Sequence, residues 1–189
     1  MLATEDALRR FGPSKATVVD VARALGVSHA AVYRHFPSKV ALREAVTRRF
    51  VGRAQGDLAS LAADPAIPPP ERLRAWLIAL HRAKRRTSLE EPELWATFRV
   101  LAAEHSAVAS DHLGVLLGQV ATIVRDGRDS GDFATTDPEA TARAVFEATA
   151  LFHHPAHAGD WQRPGREEAL NAVCDLLLDG LRANDHQRP

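Results

Sequence analysis

The segment from Thr17 to Lys39, TVVDVARALGVSHAAVYRHFPSK, constrains the fold of this chain more than any other stretch. Val18, Val21, Ala22 and Leu25 recur at i, i+3, i+4 and i+7, one apolar stripe on a helix of about two turns. Thr17 stands at the N-cap of that helix, with Asp20 three residues on in the capping-box position. Gly26 supplies the stop, because a left-handed backbone there suits glycine best. Val27 fills the corner, and Ser28 caps a second helix whose inward residues are Ala31, Val32 and Phe36. Pro37 ends it, and Ser38 caps a third, with Leu42 and Val46 facing in. Helices this short do not persist alone, so they must pack against neighbours.

The face left over on the second helix is His29, Ala30, Tyr33, Arg34 and His35. It combines hydrogen-bond donors, a cation and a small methyl-bearing residue, the groups that read base edges in a major groove. An ordinary helical hairpin would also put a tyrosine and histidines at its surface. Here the caps, the stripe, the Gly turn, the Tyr-x-His-Phe run and the following Ser-Lys agree in register, which favours a helix-turn-helix.

These residues closely resemble the DNA-binding domain of the TetR family of bacterial transcriptional regulators. The resemblance is carried by Gly12, Thr17-Val18, Asp20-Val21-Ala22, Gly26-Val27-Ser28, Val32-Tyr33, His35-Phe36, Ser38-Lys39 and Leu42, and it spans about residues 5 to 48. Ala16 departs from it where a second hydroxyl residue is common, and Ala30 replaces a frequent glycine. Few residues precede Leu8, so the first helix is short. The GRDSGDF run from Gly127 to Phe133, ahead of an Asp-Pro helix start, also looks like a turn of this family. On this footing Thr17, Ser28, Tyr33, His35 and Lys39 are expected to hold phosphates, while His29, Ala30 and Arg34 meet base edges.

Charge points the same way. Residues 1–55 hold ten Lys or Arg and four Asp or Glu, a net of +6, and the remainder holds fourteen and twenty, a net of −6. A neutral protein with one basic end suits a polyanionic partner better than a uniformly neutral one.

The rest of the chain reads as all-α. A helix is expected from Ser38 to about Leu61, closed by the Pro-rich Asp64 to Pro70. A second begins near Pro70-Glu71 and carries Leu73, Trp76, Leu77 and Leu80. Another starts at Pro92 with Leu94, Trp95, Phe98, Leu101 and Ala102 inward. A long one covers Val108 to Arg125 and ends in a Gly127 to Gly131 turn. Asp137-Pro138-Glu139 is a start signal for a helix taking Ala140, Ala144, Val145, Ala148 and Leu151 before Pro155. The last runs from about Arg166 to Leu181 through Leu170, Val173 and Leu177. The expected division is a DNA-binding domain over residues 1–50 and a helical effector-binding and dimerisation domain over 51–189. The family resemblance implies a homodimer built on the last two helices, binding a palindromic operator as a repressor and released by a small-molecule effector.

The lone cysteine, Cys174, rules out an intrachain disulfide framework and falls on a Leu-rich helix, where a buried thiol is expected. No signal-peptide pattern opens the chain, and no unbroken apolar run approaches the ~20 residues that span a bilayer, so a cytoplasmic protein with no membrane partner is expected. Trp76, Leu80, Trp95, Phe98 and Phe152 are candidates to line an effector pocket, with His81, Arg99 and His112 as polar contacts. His153, His154 and His157 raise metal binding, but Pro155 breaks the spacing that would stack His153 over His157, and no Cys or carboxylate completes a signature. No metal or cofactor site is therefore expected. Nucleophile-elbow, P-loop, HExxH and dinucleotide motifs are missing from the sequence, which argues against an enzyme. A second reading keeps the helical body as a metal- or small-molecule-binding protein with a weakened DNA head.

Overall fold

The computed structural model describes residues 28, 30, 34, 36–53 and 55–182. The expectations for Thr17, Val18, Asp20, Val21, Ala22, Leu25, Gly26, Val27, Ala31 and Val32 lie outside them. The described chain is helical: α1 Lys39–Gly52, α2 Gln55–Ala62, α3 Pro69–Glu90, α4 Pro92–Ala103, α5 Ala107–Asp129, α6 Pro138–Ala148, the short α7 Ala150–His153, a 3₁₀ turn Pro155–Asp160, and α8 Arg166–Leu181. Among the described residues no strand forms, and an isolated bridge joins Phe133 to Arg182. The all-α expectation holds.

Two compact units emerge. The first takes the described residues up to Arg53 together with Thr87–His112. In it Ser38 caps α1, its Oγ accepting from the Ala41 amide at 3.0 Å. That cap sets the phase that buries Leu42, Val46 and Phe50, and α1 packs on α4. From α4, Leu94, Trp95, Phe98 and Leu101 are buried, as their spacing predicts, together with Thr97, while Ala102 is half-buried.

The second unit takes the described residues of 55–86 and 113–182. Its core joins Leu73, Trp76, Leu77 and Leu80 of α3 to Val120, Ile123 and Val124 of α5 and to Leu170, Cys174 and Leu178 of α8. Arg72 is 3% exposed, and its guanidinium donates to the Ala62 carbonyl at 3.0 Å and to Asp126 at 2.8 Å. One side chain thus closes the end of α2 onto α3 and α5.

Three expectations are corrected. The helix read as continuous from Ser38 to Leu61 is two: α1 ends at Gly52, where the Arg53 amide turns back to the Phe50 carbonyl. Glycine is a poor helix interior residue, which makes this a natural stop. The helix from Pro138 breaks at Thr149, whose buried hydroxyl donates to the Val145 and Phe146 carbonyls at 2.9 and 3.2 Å. Such back-bonding competes with the helix ladder and bends it. Finally, α5 runs through Gly127 to Asp129, and the turn is made by Gly131 at φ +81°. By length and composition α5 is long and apolar enough to cross a bilayer, more than the sequence suggested, but Leu116, Val120, Ile123 and Val124 face the protein core.

Gly127 is required for another reason. The Phe133 ring folds back over it, so that an added Cβ would lie 2.2 Å from Cδ2. Phe133 is 3% exposed and its amide is tied to the Gly127 carbonyl at 2.9 Å, so the ring cannot swing away. Gly127→Ala should therefore cost about 1–3 kcal/mol by overpacking, read as a lower midpoint in urea. An unchanged or raised midpoint would contradict this packing.

Candidate nucleic-acid and effector sites

At the reading end, Ser28 is exposed and non-helical, whereas Ala30 and Arg34 are helical and exposed. Residues four apart share a helix face, so a methyl group and a guanidinium stand together on one solvent-facing surface. Ser28 sits where the sequence places the cap. Thr17, His29, Tyr33 and His35 lie outside the described residues. Lys39 opens α1, its side chain not among those described. Arg48 and Arg49 on α1 are exposed as well. An ion pair from Arg48 to Asp111 at 4.0 Å is open to solvent and contributes little.

The effector candidates fall into two groups, one in each unit. In the second, Trp76, Leu80, His81 and Phe152 are all buried. The Trp76 indole donates to the Gln119 side chain at 3.1 Å, and Gln119 donates to the Gln55 carbonyl at 3.3 Å. His81 donates from Nδ1 to the Phe152 carbonyl at 2.8 Å, which only accepts, so the tautomer is fixed. Its ring stands edge-on to Phe152 and to Trp161. In the first unit, Phe98 lies between Trp95, with centroids 5.5 Å apart, and His112, 5.6 Å away edge-on. Arg99 points to solvent. Sequence reasoning missed Trp161 and Arg166. Trp161 is 1% exposed and donates to the Leu151 carbonyl at 3.0 Å, and the Arg166 guanidinium covers the Phe152 ring at 4.9 Å. A tryptophan set in a Gly- and Pro-rich stretch was the available signal.

The histidines of the HHPAH run do not converge. His153 is buried against the Phe146 ring and donates from Nε2 to the Phe146 carbonyl at 3.0 Å. His154 is engaged locally, its Nδ1 accepting from the Ala156 amide at 3.3 Å. The rings of His154 and His157 lie 6.0 Å apart. Among the described residues no three His, Cys, Asp or Glu side chains gather as a metal site would need. The nearby Lys84 amine is pushed down to about 7 by desolvation. Cys174 is buried as expected, and burial raises its thiol.

Comparison with known proteins now gives this geometry a family. Residues 1–46 match the family model of bacterial regulatory proteins of the tetR family. Residues 69–174 match that of the tetracyclin repressor-like C-terminal domain. The chain belongs to the TetR family of bacterial transcriptional regulators. It is 30% identical over 128 residues to the HTH-type transcriptional regulator EthR of Mycobacterium tuberculosis, a match covering 59% of this chain and 58% of that one. The chain thus spans less than two thirds of that relative's length. Its fold is also that of FadR from Bacillus subtilis, solved in complex with stearoyl-CoA, with TM-score 0.71, 15% identity, and coverage of 96% of this chain and 99% of FadR. SmeT, the repressor of the Stenotrophomonas maltophilia multidrug efflux pump SmeDEF, shares it at TM-score 0.64 and 19% identity, over 99% of this chain and 90% of SmeT.

The burial of His153 has a measurable consequence. Desolvation, with the Lys84 charge second, pushes its pKa down to about 3, while the unfolded chain takes that proton near about 6.5. The unfolded state therefore binds more protons between these values, and stability falls as pH drops below about 6.5. The slope from this residue is up to about 1.4 kcal/mol per pH unit. His153→Gln, which keeps a donor for the Phe146 carbonyl, should flatten the loss of thermal midpoint between pH 7 and pH 4. Identical slopes in both proteins would show that His153 is not held neutral.

Proposed function

We propose that this regulator is a repressor that binds a palindromic operator as a homodimer and lets go when a small-molecule effector binds. The observation that carries the reading is the exposed pairing of Ala30 and Arg34 on one helical face, with the exposed Ser28 two residues before Ala30. These groups suit base edges and phosphate in a major groove. Residues 1–50 form the reading domain, and residues 51–189 bind effector and dimerise. Thr17, Ser28, Tyr33, His35 and Lys39 hold phosphates, and His29, Ala30 and Arg34 meet bases. It acts in the cytoplasm as a binding protein, without catalysis.

Dimerisation has a face available to it. On α6 the small residues Ala140, Ala144 and Ala148 are exposed, and Leu151 of α7 is 49% exposed. On α8 the residues Ala172 and Gly180 are exposed, and Leu176 is 75% exposed. Small residues let helices approach closely, while the two leucines supply apolar area that water disfavours. A two-fold axis through such a face sets two reading heads on half-sites about 34–36 Å apart, or a multiple of that spacing.

Effector contacts are assigned to Trp76, Leu80, His81 and Phe152 in the second unit and to Trp95, Phe98, Arg99 and His112 in the first. Regulators of the same fold lend support: FadR was solved with stearoyl-CoA, and SmeT represses an efflux pump. The effector need only bind the non-DNA conformation more tightly to shift the equilibrium.

Two experiments test these roles. In gel shifts with the operator, Tyr33→Ala should weaken binding to all sequence variants about equally, whereas His29→Ala should change base preference at one half-site position. Equal effects of both on every sequence would sink that division. Leu176→Glu should convert the dimer to a monomer in analytical ultracentrifugation and reduce operator affinity about tenfold or more. A dimer that persists in the Leu176→Glu variant would place the interface elsewhere.

A further inference from the structure

His81 is 1% exposed, yet its ring lines a cleft of about 530 Å³ between α3 and the start of α8. That volume falls within the usual range for small-molecule sites. The ring is held rigidly, Nδ1–H to the Phe152 carbonyl and edges to Phe152 and Trp161. Its other nitrogen, Nε2, has no hydrogen-bond partner among the described residues. With Nδ1 donating to that carbonyl, Nε2 is the ring atom left to accept from a donor outside the protein.

The walls supply positive charge. Arg85 enters from α3, its Nε donating to the Gln162 side chain at 2.9 Å. Arg166 enters from α8, resting on Phe152, with one terminal nitrogen donating to the Leu151 carbonyl at 3.4 Å and a buried Nε that has no partner. Gly165, at φ +79°, starts α8 with no capping side chain, so the first-turn amides are left for a ligand or solvent. The lining holds Arg85, Arg163 and Arg166 against Glu167 and Glu168, an excess of one positive charge. Just outside it, Asp160 pairs with Arg163 at 3.0 Å and Arg82 clamps Glu167, and those two neighbours cancel each other.

We propose that this cleft binds a small hydroxyl-bearing carboxylate. The carboxylate is met by Arg85, Arg166 and the first amides of α8, and the hydroxyl donates to Nε2 of His81. A single excess charge suits a monoanion better than a dianion, and charge-assisted hydrogen bonds to arginine are the strong ones. The assignment rests on the effector reading and names the class of effector.

The test is titration calorimetry of the full chain with the three hydroxybenzoates, benzoate, the matching hydroxybenzamides and inorganic phosphate. At least one hydroxybenzoate should bind, about tenfold or more tightly than its amide and several-fold more tightly than benzoate. Arg85→Gln, at an exposed position, should weaken it about tenfold, as should Arg166→Gln, with thermal midpoints confirming that both variants fold. Equal binding of acid and amide, tighter binding of phosphate, indifference to both variants, or no binding by any hydroxybenzoate would each overturn the assignment. Binding to the protein alone decides the cleft, and release of operator DNA on adding the same compound decides the effector reading, so the two fail separately.

Discussion

The second unit depends on a guanidinium that has almost no contact with water. Arg72 bridges the Ala62 carbonyl and the Asp126 carboxylate, and its Nε is buried without a partner. Desolvating a charge this far is costly unless the partners are well placed, so the arrangement fixes three elements at once: the end of α2, the first turns of α3 and the last turns of α5. With α3 so anchored, Leu73, Trp76, Leu77 and Leu80 enter the core in phase, and His81 reaches the Phe152 carbonyl further along the same helix. The candidate ligand groups of this unit inherit their positions from that anchor.

Much of this was legible in the sequence because its signals are local. Ser38 and Asp137 cap the helices they precede, with side chains 3.0 Å from the amides of Ala41 and Ala140. The apolar spacings of α3 and α4 picked out buried residues correctly, since a stripe at helical period has one way to face a core. Of the stretch read as the recognition helix and its cap, the described residues Ser28, Ala30 and Arg34 stand exposed.

What the sequence hid depends on distant partners. The break at Thr149 follows from a hydroxyl choosing helix carbonyls in a buried setting, which propensity does not reveal. Phe133 lying across Gly127 is a contact through a turn, and it turns an apparent helix stop into a close packing site. His81 and Arg85 stand far from Trp161 and Arg166 in the chain, and the four share a cleft only because α3 meets the start of α8. In the HHPAH run the sequence showed that Pro155 breaks the stacking of His153 over His157, but not that burial sends His153 to the Phe146 carbonyl.

The account stands or falls on DNA. A gel shift of the purified protein on the region upstream of its own gene, repeated across a series of salt concentrations, tests it most directly. The prediction is a discrete complex of two chains per site, with affinity falling steeply and log-linearly as salt rises, because phosphate contacts release counterions. Weak binding that does not distinguish this region from unrelated DNA, or a complex indifferent to salt, would contradict it.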